Sequence, residues 1–272
     1  MKIRPMLLLL PVLVLAVPGF ANDPFQAELK EKPISILFIG NSYTAQSMKK
    51  IRDMFKFREQ VVDVMAITPG GAKLEDHIKN REQIERFLKR KYDFVVLQEQ
   101  SQVPALSDKI QKRFEKSAVV LNKWIKDSGA ITILFMTWGR RDGDKSNYKL
   151  NPNFDIMQHR LTTAYRNVAD KYKIRLAPVG DVFAQIKKEY PTLFPKLYAR
   201  DGSHPGPLGA TAAAFVIYAT VSGQMPPLLD TRDPERAREE KALWHVVKNV
   251  MEQEKYRKQT KLRGGFRSFF KR

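Results

Sequence analysis

The chain has 272 residues, 43% of them hydrophobic, no cysteine, and a formal net charge of +19. That length and apolar content suffice for one substantial core. The lack of cysteine excludes disulfides, thiolate metal sites and a lipoprotein attachment site, so an exported fold would rest on packing alone.

Residues 1–21 carry two early cations, an apolar run from Met6 to Val17, then Pro18, Gly19 and Ala21. This is the pattern of a secretory signal peptide cleaved near Ala21, and the run is shorter than the ~18–20 residues of a membrane span. Secretion or a periplasmic location follows as the expectation. Two of the +19 charges leave with Lys2 and Arg4, giving +17 on the mature chain. For an exported protein the natural counter-charge is an anionic polysaccharide or a membrane surface, with no nucleic acid expected. A linker, 22–32, leads into a domain spanning 33–257, and the basic remainder 258–272, with three phenylalanines among cations, is expected to be disordered.

Within the domain, Ile34 to Ile39 is a short β-branched run closed by Gly40, the profile of a buried strand. Residues 44–58 then carry one apolar helical face. The alternation continues with a strand at 61–67, a Pro69-Gly70-Gly71 turn, one helix over 72–90 and a strand at 94–97. Further on come a helix at about 107–127, a strand at 131–136, a helix at about 154–172 and a strand at 174–179. A short helix at 181–188, a Pro-rich loop, a helix at 207–222 and a charged final helix at 233–257 complete the chain. Five such alternations imply a three-layer α/β/α sandwich on a five-stranded, mostly parallel sheet.

In such sheets ligands bind beyond the carboxyl ends of the strands, so the residues after each strand carry the information. Ser42 follows the first strand at the start of a helix, where free N–H groups and the dipole favour developing negative charge. It is either a nucleophile or a helix cap. Of the four histidines, His77, His159 and His245 lie in helical patterns among charged neighbours and read as surface residues. His204 instead stands in the turn-rich segment Asp201-Gly-Ser-His-Pro-Gly206, three residues after Asp201, where a carboxylate can hold an imidazole.

The segments Gly40-Asn-Ser-Tyr-Thr44 and Asp201-Gly-Ser-His-Pro205 resemble the first and last sequence blocks of the SGNH (GDSL-type) esterase superfamily, a flavodoxin-like fold, over roughly residues 33–224. The resemblance implies that Ser42 attacks an ester carbonyl with His204 and Asp201 completing a triad. It also implies an oxyanion hole made by the amide of Ser42, an amide of Gly70 or Gly71, and a side-chain amide after the third strand. The usual Gly-x-Asn-Asp is replaced there by Gln98-Glu-Gln-Ser101, with Gln98, nearest the strand end, preferred over Gln100. Asn41, Gln100, Trp138 and Arg140 are candidate substrate contacts; Trp138 with Arg140 or Arg141 is either a stacking platform with an anionic anchor or a core-edge side chain beside solvated arginines. No cofactor or metal is expected. The expected activity is hydrolysis of acyl, in particular O-acetyl, esters of a carbohydrate or cell-envelope polymer. The alternatives are O-acetyl transfer with the same triad, or glycan binding without catalysis.

Overall fold

A computed structural model describes residues 33–56, 62–228 and 231–269. The expected signal peptide and the linker lie outside the described residues. Five strands form one sheet: β1 Ile34–Ile39, β2 Val62–Ile67, β3 Phe94–Leu97, β4 Ile131–Phe135 and β5 Arg175–Ala177, in the order β2-β1-β3-β4-β5, every pair parallel. Parallel neighbours require crossovers, and helices supply them: α1 Ser42–Lys56, α2 Leu74–Lys79 with α3 Arg81–Leu88, α4 Asp108–Asp127 and α5 Phe154–Tyr172; α6 Val179–Glu189, α7 Pro207–Ser222 and α8 Pro234–Phe269 follow the last strand. This is the doubly wound three-layer sandwich expected from the alternation.

Because both sheet faces are covered, the central strands are nearly continuous apolar runs, with Ser35 and Thr132 as the polar exceptions, rather than alternating. Ile36 and Phe38 of β1 enter one core with α1, α6, α7 and α8, while Leu37 and Ile39 enter the other with helices α2 to α5. Helix α7, LGATAAAFVIYATV over 208–221, is buried nearly all round, since it is packed between α1 and α8. Its small residues permit that close approach: a Cβ on Gly209 would stand 2.1 Å from the carbonyl oxygen of Leu197.

Three expectations are corrected. The helix expected over 72–90 is two helices, because Asn80 adopts φ −97°, ψ 51° and ends the first. The fifth strand is only three residues long, since the chain turns at Pro178 straight into α6. The last helix does not stop at 257 but runs to Phe269, through much of the segment expected to be disordered. Past its apolar stripe (Leu243, Val246, Val247, Val250), ionic contacts hold it to α5: Arg257 pairs with Asp170 at 2.7 Å, and Glu254 lies 3.4 Å from Arg166. Among the described residues no helix is long and apolar enough to cross a membrane.

The register sets the height at which loops leave the sheet. Ile39 pairs with Ile67 on one side and with Leu97 on the other, so β1, β2 and β3 end level. The third residue beyond each end is Ser42, Gly70 and Gln100.

Candidate active site

Ser42 opens α1, its backbone carbonyl and amide at the helix start, and its Oγ lies 2.9 Å from Nε2 of His204. Nδ1 of His204 lies 2.6 Å from Oδ2 of Asp201. A carboxylate can only accept, so Nδ1–H donates and Nε2 is left to accept from the serine hydroxyl. The three residues, 162 positions apart at their extremes, thus form one hydrogen-bonded chain.

The His204 loop is shaped by its own aspartate. Oδ1 of Asp201 accepts from the amides of Ser203 and His204 at 2.9 and 3.0 Å, while Gly202 takes φ +65°, a backbone region that side chains disfavour. The amide of Arg141 closes the loop from outside by donating to the carbonyl of Gly202 at 2.8 Å. Partial burial alone would push the Asp201 carboxyl up. The bonds from the His204 ring and from the two amides outweigh it and hold the group below the usual carboxylate range.

Tyr43, next to Ser42, ties the two halves of the site together, a role nothing in the sequence pattern singled out. Its hydroxyl lies 2.6 Å from Oγ of Ser203, and its ring lies 5.1 Å from that of His204 and is stacked on Trp138 at 5.0 Å. Trp138 in turn stacks on Phe183 at 4.4 Å and donates from Nε1 to the carbonyl of Ser203 at 3.0 Å. Each such aromatic pair adds about 0.5–1.5 kcal/mol beyond area burial, so the His204 loop is backed by a rigid column.

The column corrects one expectation: Trp138 is 0% exposed and is no platform for a substrate ring. Asn41 is also buried, and its side chain acts as a tie. It accepts from the amide of Tyr43 at 3.2 Å and donates to the carbonyl of Ala72 at 2.8 Å, fastening the turn after β2 to the serine loop. Arg140 points one nitrogen at Asp144, 3.0 Å away. That fully buried carboxylate also takes both contacts from Gln102 Nε2, so Arg140 is engaged with its own loop rather than free as an anchor.

Gln98 is likewise displaced from its expected role. Its amide N–H still pairs with the carbonyl of Ile39 at 2.9 Å, so it continues the ladder and its side chain enters the interior, 0% exposed. There Oε1 accepts from the amide of Asn41 at 3.0 Å and the hydroxyl of Thr44 at 2.8 Å, and Nε2 donates to the carbonyl of Glu99. It buttresses the serine loop from below, against Gly40, where a Cβ would stand 2.7 Å from Oε1. Gln100 is partly exposed. Its Oε1 accepts from the amides of Gln102 and Val103, and its NH2 group gives one hydrogen to Oε1 of Gln102 at 3.0 Å. Gly70 and Gly71 are exposed at the mouth, Gly71 with φ +69° and open space where a Cβ would stand.

Two buried titratable groups escaped sequence reasoning. His77, expected on the surface, is 3% exposed with Nε2 at 2.9 Å from the carbonyl oxygen of Gly40, and burial lowers its pKa. His159 and His245 are exposed as expected. Glu99 is 1% exposed, and burial raises its carboxyl to about 7 against the partial compensation of amide donors from Gln100 and Leu74. Periodicity could have flagged Glu99, because it follows a fully apolar strand on the same level as the buried Gly40 turn.

A three-layer α/β/α protein with a serine, a histidine and an aspartate bonded in series at the carboxyl ends of its strands defines a hydrolase-like class of site. No protein-family model matches the sequence, and no curated protein matches it. Solved structures do. A protein from Slackia heliotrinireducens, provisionally described as an SGNH hydrolase, is similar at 29% identity over 70% of this chain and 100% of its own, with a TM-score of 0.60. A lipase/acylhydrolase from Enterococcus faecalis shares the fold at 17% identity, 72% and 100% coverage and TM-score 0.56. So does a catalytic mutant of an acetylxylan esterase from Geobacillus stearothermophilus, at 15% identity, 70% and 94% coverage and TM-score 0.54. The chain belongs to the SGNH-type hydrolase superfamily.

Proposed function

We propose that the protein is an exported serine esterase that removes acyl groups, in particular O-acetyl groups, from a carbohydrate or cell-envelope polymer. The observation that carries this reading is the continuous contact from Ser42 Oγ through the His204 ring to Asp201, at 2.9 and 2.6 Å. Nε2 of His204 takes the proton as Ser42 Oγ attacks the ester carbonyl, and Asp201 holds the tautomer and stabilises the imidazolium. His204 then returns the proton to the departing alkoxide, leaving an acyl group on Ser42. Water, deprotonated by the same nitrogen, releases the acid and restores the serine.

The carbonyl oxygen that becomes negative is held by three donors that leave the sheet at one height: the Ser42 amide, an amide of Gly70 or Gly71, and the free Nε2 hydrogen of Gln100. One donor of this kind contributes about 3–4 kcal/mol. Gln100 takes this part in place of Gln98 because only a side chain that solvent reaches can meet a substrate. The carbohydrate portion of the reading is supported by the export-type N-terminus and by the acetylxylan esterase among proteins of the same fold. The same reading has residues 1–21 removed on export and the cationic surface, including the basic end of the chain, drawn to anionic polymers or membrane surfaces.

Release of acetate from 4-nitrophenyl acetate and from acetylated xylan, compared between the wild type and Ser42→Ala, tests the proposal. Hydrolysis by wild type alone supports it. Equal rates in both proteins would refute it, and acetyl transfer to added sugar outrunning hydrolysis would make the protein a transferase.

A further inference from the structure

The turn that carries Gly70 and Gly71 leads into α2, whose six residues are too few to hold a helix on their own. Where that turn sits is therefore decided by what α2 is fastened to. Leu74 is fully buried, and the amide of Ala72 closes the turn onto the carbonyl of Pro69 at 3.2 Å. Three further bonds leave the segment sideways, toward the loops after β1 and β3. One, from Asn41 Nδ2 to the carbonyl of Ala72 at 2.8 Å, joins it to the serine loop. The other two come from buried titratable side chains that no step of the proposed reaction uses.

Glu99 makes the first of these. Its Oε1 accepts from the amide of Gln100 at 2.7 Å and from the amide of Leu74 at 3.1 Å, so a single oxygen joins the loop after β3 to the first residue of α2. His77 makes the second. A carbonyl can only accept, so Nε2–H of His77 donates to the carbonyl of Gly40 at 2.9 Å and joins α2 to the loop after β1. Burial disfavours a charge at both positions. It lowers the pKa of His77, which keeps the ring neutral, and it raises the carboxyl of Glu99 to about 7 although both amide bonds pull the other way. An apolar side chain would avoid that cost, so what sets the two residues apart is the bond each makes.

We propose that Glu99 and His77 are positioning residues that set the spacing of the oxyanion donors: Glu99 between Gln100 and the turn of Gly70 and Gly71, His77 between that turn's helix and the backbone leading to Ser42. The inference rests on the esterase reading, because the loops that the two side chains join are the three assigned to the oxyanion hole. Neither residue touches substrate; each acts through the backbone it holds. The carbonyl of Gly40 belongs to the peptide plane just before the one that carries the Ser42 amide, so a tilt of the first moves that donor. Loss of the Glu99 bonds lets the turn after β2 and the loop after β3 drift apart. A misplacement of about 1 Å in such a group costs up to about 10²-fold in rate.

The test measures kcat and KM on 4-nitrophenyl acetate, melting temperature and fluorophosphonate labelling for wild type, Glu99→Leu, Glu99→Gln, His77→Leu and His77→Gln, each well below its melting temperature. Glutamine keeps an oxygen to accept the two amides at position 99, and at position 77 it brings an NH2 to where Nε2–H stood. The proposal predicts that each leucine variant loses about 10- to 100-fold in kcat with KM within about twofold of wild type, while each glutamine variant stays within about threefold in both. Leucine variants that melt earlier but keep the wild-type kcat would make both residues structural only and overturn it. Glutamine variants as slow as the leucine ones would overturn it too, because the bond would not be the cause. Should a leucine variant not fold, Glu99→Asp decides, since it withdraws the carboxyl by one methylene and stays polar; a wild-type kcat there would overturn the proposal, and a loss of about tenfold would support it. A wild type that neither hydrolyses the ester nor is labelled would refute the esterase reading and the positioning role with it, an outcome distinct from an active wild type whose variants are unaffected.

Discussion

The loops after β1 and β3 leave level strand ends side by side, yet they treat their side chains differently. After β1 the ladder runs one residue further to Gly40, which has no side chain and whose amide donates to the carbonyl of Ile67 at 3.0 Å, and Ser42 stands partly exposed two residues on, at the start of a helix. After β3 the ladder continues for one more residue, so Gln98 turns into the protein and supports the serine loop, while Gln100 emerges at the height of Ser42. A polar residue after a strand is thus either a strut or a tool, and its distance from the last ladder bond decides which. Trp138 repeats the lesson after β4, where it backs Tyr43 and the His204 loop instead of meeting substrate.

Substitutions in the two loops, and at Asp201 opposite them, can break this contrast. The largest effect is expected at Ser42, the proposed nucleophile, where Ser42→Ala should lower kcat about 10⁶-fold on 4-nitrophenyl acetate without unfolding the protein. Asp201→Asn should fold and lower kcat about 10⁴-fold through loss of tautomer control. The glutamines then separate the two loop roles. Gln100→Ala should lower kcat by about 10²–10³ at unchanged melting temperature, as loss of one oxyanion donor does. Gln98→Ala should instead lower stability by about 1–3 kcal/mol in urea unfolding, because it leaves the Asn41 amide and Thr44 hydroxyl without their acceptor. The reverse pattern would return the oxyanion role to Gln98.

A smaller effect sharpens the picture of the β3 loop by pH. The folded carboxyl of Glu99 titrates near 7 and its unfolded form near the ordinary 4.5, so between these values the folded state holds a proton that the unfolded state has lost. Stability therefore falls as pH rises through that window, by at most about 3 kcal/mol, and is level above it. Urea unfolding at pH 5 and pH 8 should show this loss in wild type but not in Glu99→Gln. Least affected should be Tyr43→Phe, which keeps the ring stack and gives up the bond to Ser203, at a cost of about 1 kcal/mol in stability.

Much of this architecture was legible in the sequence. Short β-branched runs alternating with amphipathic stretches specify a parallel sheet, and the DGSHP and GNSYT segments bring the Ser42, His204 and Asp201 side chains into consideration together. Burial within a helix of mixed pattern was not legible, so His77, flanked by charges, passed for a surface residue although it reaches inward to Gly40. Nor could sequence position distinguish Gln98 from Gln100, because the difference depends on one backbone bond to Ile39 that belongs to another strand. The ion pairs that seat α8 at Glu254 and Arg257 involve Arg166 and Asp170 of a distant helix, contacts that no local signal reports.

The central claim is that Ser42 is a nucleophile activated by His204. Its most direct test is to treat the protein with a fluorophosphonate and map the adduct by peptide mass spectrometry, in wild type and in His204→Ala. The account predicts one adduct, on the peptide carrying Ser42, in wild type and little or none in the variant. An adduct on another residue, or equal labelling of Ser42 without His204, would contradict it.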